Sequence, residues 1–287
     1  VARRFTDEEL AELGRSPRDR LAAALAGEAD PVAVYDGLLR SFRGFLDGFR
    51  AWIAVMDEHL RSTHGDAMLA AVALPGADVD DAALLDRLRA GDAAAALAAY
   101  DLVEAELRQR HDAGCDGVAA ALSHVYRTYG VDELERTLRI AGDRTLVAWM
   151  PRDEDRPYEV RVRHWARMLS GNFARVQVVE DDEGTTIVQD PCGTCGGQVE
   201  RRCMEPDGPL AVVREPHPIT FGLGDTPIYR THVAVMHYLL PIERTGRVWP
   251  IVDCPPRGEG GPCRVRIPVD PDATPRTWNA RVSPPAR

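Results

Sequence analysis

Asp190-Pro191-Cys192-Gly193-Thr194-Cys195-Gly196-Gly197 is the segment where residue type and spacing first suggest chemistry. Two cysteines spaced C-x-x-C with glycine behind them resemble one knuckle of a zinc ribbon. In such a knuckle a tight turn aims two thiolates at one ion, and glycine tolerates a left-handed backbone. Cys203, Cys254 and Cys263 follow in the last third of the chain. From this order the metal set is Cys192, Cys195, Cys203 and Cys263, with Zn²⁺ as the ion. Buried unliganded thiols and a redox pair or iron–sulfur cluster compete with that reading.

A catalytic reading uses some of the same residues. Cys192 can serve as a nucleophile if His232 or a positive field makes it a thiolate, and Glu215 can serve as general base, with Glu243 as a second nearby carboxylate. Arg230 can hold a substrate carboxylate in a bidentate pair, with Tyr229 beside it in the substrate site. His232 and His237 are five residues apart, roughly 140° around a helix and on opposite faces of a strand. Regular structure therefore aims at most one of them at a shared ion. His59, His64, His111, His124 and His164 fall on helices or at their ends, where a surface or satisfied core role is expected, and His217 lies in a rigid turn held by Pro216 and Pro218.

Taken in order, these segments resemble a known family. Pro191-Cys192-Gly193-Thr194 with Gly196-Gly197 follows a hairpin, then come Pro227-Ile228-Tyr229 with His232, Pro241-Ile242-Glu243 with Gly246, and Cys263 heading a strand. This pattern is similar to the L-2-amino-thiazoline-4-carboxylic acid hydrolase-like family over about residues 120–268. Arg230 and Val233 stand where that family has cysteines flanking its histidine, and Cys195 interrupts its P-C-G-S-G-G segment. The resemblance implies hydrolysis of a cyclic amidine or a related C–N bond in a small sulfur-containing or amino-acid-like substrate, as in specialised biosynthesis. It carries over Cys192, His232 and Cys263.

Composition narrows the classes around that site. A formal charge of −10 disfavours nucleic-acid binding, which needs a concentrated positive face, and suits selection of a small anionic substrate at a local arginine. All 35 basic residues are arginine. Without lysine there is no PLP anchor, Ser-Lys dyad or P-loop, so neither PLP nor a nucleotide is an expected cofactor. No run approaches the ~20 apolar residues of a membrane helix. The start carries Asp7, Glu8, Glu9 and Glu12 where a signal peptide would be apolar, and a cytoplasmic location is expected. Thiols kept reduced in that compartment argue against a disulfide framework. A homo-oligomer is compatible with all of this.

The elements that must position the site fall in two unlike halves, an α+β arrangement. In residues 1–172, Ser16-Pro17 and Asp30-Pro31 read as N-caps with proline at the first helical position. Val34, Leu38, Phe42, Phe45, Phe49, Ile53, Met56 and Leu60 trace one helical stripe. Further helices are expected from near Asp80, over 92–110, 118–129 and 132–142, and over 157–169, forming an antiparallel bundle. In residues 173–269 the period shifts toward two. A hairpin of 175–180 with 185–189 is followed by short strands at 210–214, 248–252 and 264–269, and 229–240 reads as helical. Residues 270–287, rich in proline, read as an extended or disordered tail.

Overall fold

The protein is described here by a computed structural model over residues 4–201, 204–205, 208–255 and 261–283. Its helices begin where capping side chains stand. Thr6 forms a capping box with Glu9 at the start of α1 (Asp7–Gly14), and Ser16 accepts from Asp19 N–H at the start of α2 (Pro17–Ala23). Asp30 accepts from Val32 N–H to open α3 (Pro31–His64), which stops at Gly65 in the left-handed region. The buried side of α3 is Tyr35, Leu39, Phe42, Leu46, Phe49, Ile53, Met56 and Leu60. This alternation of four and three is the seam of a helix packed lengthwise on its neighbours. Each such side chain contributes about 1.5–3 kcal/mol on burial, which outweighs the propensity cost of the five aromatics in this helix.

After α4 (Ala82–Ala90), the helices expected at 92–110 and 118–129 prove to be one, α5 (Ala93–Tyr129). Gly114 does not break it, because the Phe49 ring of α3 occupies the space of the missing Cβ, 2.6 Å from where that atom would lie. The helix expected from an Asp132 cap starts one residue earlier, as α6 (Val131–Arg144), with Gly130 at its N-cap. Two further helices, α7 (Met150–Glu154) and α8 (Tyr158–Gly171), complete the helical half.

The hairpin forms as β1 (Val176–Glu180) and β2 (Gly184–Gln189). After a short helix α9 (Cys195–Glu200), β3 (Val212–Val213) and β4 (Thr226–Pro227) pair as a minimal ladder. The helix expected over 229–240 forms, but it is irregular and extends over 228–245. A 3₁₀ turn leads into α10 (Thr231–Val233), a π-helical stretch (Ala234–Leu239) and α11 (Leu240–Thr245). Finally β5 (Ile251–Asp253) and β6 (Cys263–Pro268) add to the hairpin, giving an antiparallel sheet of order β1-β2-β6-β5.

One continuous apolar core runs through both halves. Asp153 of α7, buried, accepts from the indole N–H of Trp165 in α8 at 3.0 Å and of Trp249 before β5 at 3.1 Å. Glu180 of β1 accepts from the backbone N–H groups of Arg4 and Phe5. The expected extended tail is corrected over 270–283, where two 3₁₀ segments, Pro271–Ala273 and Arg276–Val282, pack on the fold. Asn279 donates to the Gly246 carbonyl, Arg281 pairs with Asp253 at 2.6 Å, and Val282 is buried. The stretch closes an apolar surface that its prolines could not reveal. No helix of the described residues is long and apolar enough to cross a membrane.

Candidate metal centre

Sheet register brings the thiols together. β2 ends at Gln189, whose partner across the ladder is Cys263, the first residue of β6. The chain leaving β2 turns through Asp190 and Pro191, so Cys192 emerges beside Cys263. On the other side of β6, Asp253 pairs with Arg264. Continued one step, that antiparallel register sets Cys254 opposite Cys263.

The sulfurs of Cys192, Cys195 and Cys263 all lie within 4.8 Å of one another, with Cys192 and Cys195 3.5 Å apart. Among the described residues this is the group able to hold a metal ion. A disulfide needs about 2.05 Å. Two thiolates at 2.3 Å from a tetrahedral zinc stand about 3.8 Å apart, within the spread seen here. Cys192 and Cys263 are buried and Cys195 is half-buried. Cys254, also buried, meets Cys263 thiol to thiol.

The backbone is arranged for a thiolate. Gly196 N–H donates to Cys192 Sγ at 2.9 Å, and the Thr194 amide assists. Hydrogen bonds from Cys195 and Cys263, then these amides, hold the Cys192 thiol well below its ordinary range in spite of burial. The shared contact with Cys192 correspondingly pushes Cys195 and Cys263 up. Metal binding would displace the remaining thiol protons.

The role expected of the turn glycines is corrected. Gly193, Gly196 and Gly197 are not among the residues with positive φ. They are required by proximity instead: a Cβ on Gly193 would lie 1.5 Å from the Asn172 carbonyl oxygen, and one on Gly196 would lie 3.0 Å from Cys192 Sγ.

The other candidate residues separate into near and far. Tyr229, buried, points its hydroxyl at the Cys115 thiol of α5, and burial followed by the neighbouring cysteines pushes its phenol up. His232 sits between the rings of Trp52 and Tyr229, with centroids at 5.3 and 4.9 Å. Its Nδ1 faces the Tyr229 carbonyl, so Nδ1 carries the proton and Nε2 is the lone-pair nitrogen. Burial lowers its pKa to about 4, while the charge of nearby Cys192 acts in the opposite sense. The π-helical turn draws His237 to 6.5 Å from His232, ring to ring, closer than the expected regular geometry allows. Arg230 donates to the Cys254 carbonyl. With Cys254, Arg281 and Phe221 it lines a cavity of about 400 Å³.

Glu215 lies elsewhere, accepting from Tyr126 Oη at 2.7 Å, and Glu243 is held by Arg139 at 2.8 Å. Cys203 falls outside the described residues. Sequence reasoning left Cys115, Cys254 and Arg281 out of the site. Only Cys254 had a usable signal: its spacing to Cys263 suits two positions facing each other across a hairpin. No family model, curated protein or solved structure matches the chain.

Proposed function

We propose that the chain is a zinc-dependent hydrolase acting on a C–N bond of a small anionic, amino-acid-like substrate. The observation that supports this reading is the triad Cys192, Cys195 and Cys263, a three-thiolate set that leaves a coordination position for water. A bound zinc would supply Lewis acidity and a water acidic enough to ionise near neutral pH. Cys192, Cys195 and Cys263 would hold it, and the Gly196 and Thr194 amides would keep Cys192 ionised. Arg230 and Arg281 line the neighbouring cavity and would bind the substrate carboxylate, with Phe221 against its body. His232 would take up or return a proton at Nε2.

A second reading rests on a different contact. Cys254 touches Cys263, and as a fourth thiolate it would close the site and make the metal structural. Cobalt substitution separates the two. An open Cys₃ site shows d–d bands that change on adding a small anion, and a closed Cys₄ site does not.

Hydrolysis is tested with 2-amino-thiazoline-4-carboxylate and related cyclic amidines. Turnover is expected to disappear in Cys192→Ala and His232→Gln, and KM is expected to rise in Arg230→Gln. Full activity in either of the first two variants removes that residue from the mechanism. Absence of zinc from the purified protein, with none taken up on addition, refutes the metal reading.

A further inference from the structure

A large cavity among the described residues lies away from the thiols, in the helical half. It is a groove of about 970 Å³ between α1–α2, α3 and α8, at the upper end of the range for small-molecule sites. Its charged lining is Arg15, Arg20, Arg40, Arg163 and Arg167 against Glu12 and Glu28, a surplus of three positive charges on a chain whose formal charge is −10.

The acids offset only part of that charge. Glu12 and Glu28 share Arg15, at 2.8 and 2.9 Å, and with Glu9, which pairs with Arg163 at 2.6 Å, five arginines meet three carboxylates and a surplus of two remains. Arg40 and Arg167 make no ion pair among the described residues. Arg20 donates one guanidinium nitrogen to the Leu13 carbonyl, while its Nε is buried without a partner. Burial lowers the pKa of Arg20, and Arg167 and Arg15 add to that effect against the opposing pull of Glu12. Like charges gathered around a partly desolvated guanidinium are costly unless an anion joins them.

The same groove also has an apolar lining. Val34, Leu38 and Phe45 of α3 belong to the helical stripe expected from sequence, yet they are only partly buried, and with Met168 of α8 they face the groove. The core seam runs instead through Tyr35, Leu39, Phe42 and Leu46. This chain therefore spends apolar side chains on a concavity that it does not fill.

We propose that this groove binds an organic phosphate ester, its phosphoryl oxygens taken by Arg20, Arg40 and Arg167 and its apolar body laid on Leu38, Phe45 and Met168. A phosphate dianion suits several guanidinium groups approaching from different elements, whereas one carboxylate is satisfied by a single bidentate partner.

The test is titration calorimetry on the full chain with phenyl phosphate, inorganic phosphate and benzoate. Phenyl phosphate is expected to bind saturably, inorganic phosphate more weakly for want of the ring, and benzoate weakest. Arg40→Gln and Arg167→Gln each remove an exposed side chain and are expected to weaken phenyl phosphate about tenfold. Without ligand, their melting temperatures are expected to stay level or rise as repulsion is relieved. Unchanged affinity in both variants, or no saturable binding of phenyl phosphate at millimolar concentration, overturns the proposal. Benzoate binding as tightly as phenyl phosphate overturns the phosphate assignment. A fall in the ligand-free melting temperature with affinity intact would show that these arginines serve folding instead.

Discussion

Gly193→Ala is the smallest change that bears on the thiol turn, and its effect can be worked from distances. The new Cβ would lie 1.5 Å from the Asn172 carbonyl oxygen, 2.6 Å from its carbon and 3.0 Å from Ala174 N. Carbon and oxygen in contact without a bond stand about 3.3 Å apart, so backbone has to move by about 1.8 Å. Asn172 cannot yield easily: it is buried, its N–H is bonded to the Met168 carbonyl at 2.9 Å, and its Oδ1 is held by His111. If the helix end gives way, the cost exceeds the 1–3 kcal/mol of ordinary overpacking and reaches about 4 kcal/mol or more. If the turn gives way, Cys192 retreats from Cys263, which β6 holds in the sheet, and the triad opens beyond what one ion spans. The assay is zinc per chain by mass spectrometry together with urea unfolding. Gly193→Ala is expected to lose metal, stability or both. Gly197→Ala is the control, since its nearest contact is Arg201 Nη1 at 3.6 Å and a helical alanine is favourable. A Gly193→Ala protein with full zinc and an unchanged midpoint would refute the geometry of the turn.

Cys195→Ser is expected to lower zinc content and unfolding midpoint together, because metal free energy is folding free energy. Cys115→Ser, whose thiol meets Tyr229 rather than the triad, is expected to retain the zinc, and parallel metal analysis checks both. Glu133, buried against His59 at 2.7 Å and His64 at 3.4 Å, is expected to cost about 1–3 kcal/mol on replacement by Ala, measured by urea unfolding. Asp66 is held at about 2 by His124, at 2.6 Å, and then by the Met68 N–H. A depressed carboxylate pKa contributes stability above the unfolded value of about 4 that is lost as pH falls toward 2. Melting temperature followed from pH 5 to 2 is therefore expected to fall less steeply in Asp66→Asn than in the parent, and equal slopes would count against that role.

What the sequence disclosed, and what it hid, divides by the range of the interaction. Caps at Ser16 and Asp30 and the β1–β2 hairpin are local, and each stands within a residue or so of its expected place. The single helix α5 was expected as two, over 92–110 and 118–129, because the Phe49 ring that packs at Gly114 comes from 65 residues away. The α3 stripe was legible as a helix but not as two faces. Phe42 and Phe49 belong to the seam while Phe45 faces the groove, and only the neighbouring helices decide which. At the site, C-x-x-C marked one half of the thiol cluster. Glu215 was named for its proximity in sequence to His217 and His232, and proximity in sequence does not determine which side of α5 a loop settles on.

The second half of the cluster follows from pairing rather than motif. A zinc-ribbon knuckle presents its thiols from one tight turn, and this chain has one such turn, at Cys192 and Cys195. Cys254 and Cys263 do the equivalent across a hairpin, Cys254 continuing β5 and Cys263 beginning β6. Their side chains can approach the turn only if β6 pairs with β2 on one side and β5 on the other, since a one-residue slip would turn Cys263 to the opposite face. The alternation in β6 enforces that choice: Cys263, Val265 and Ile267 are buried, while Arg264 is exposed and Arg266 reaches Asp181 at 2.7 Å. Sheet register and ligand set are thus one decision. An ion held by the triad would tie the turn after β2 to the central strand, so its removal should loosen the β2–β6 edge before it reaches the helices. Hydrogen exchange with and without chelator would show this as protection lost first at Ile187 to Gln189 and Cys263 to Val265, and uniform loss across α3 and α5 would place the ion's contribution elsewhere.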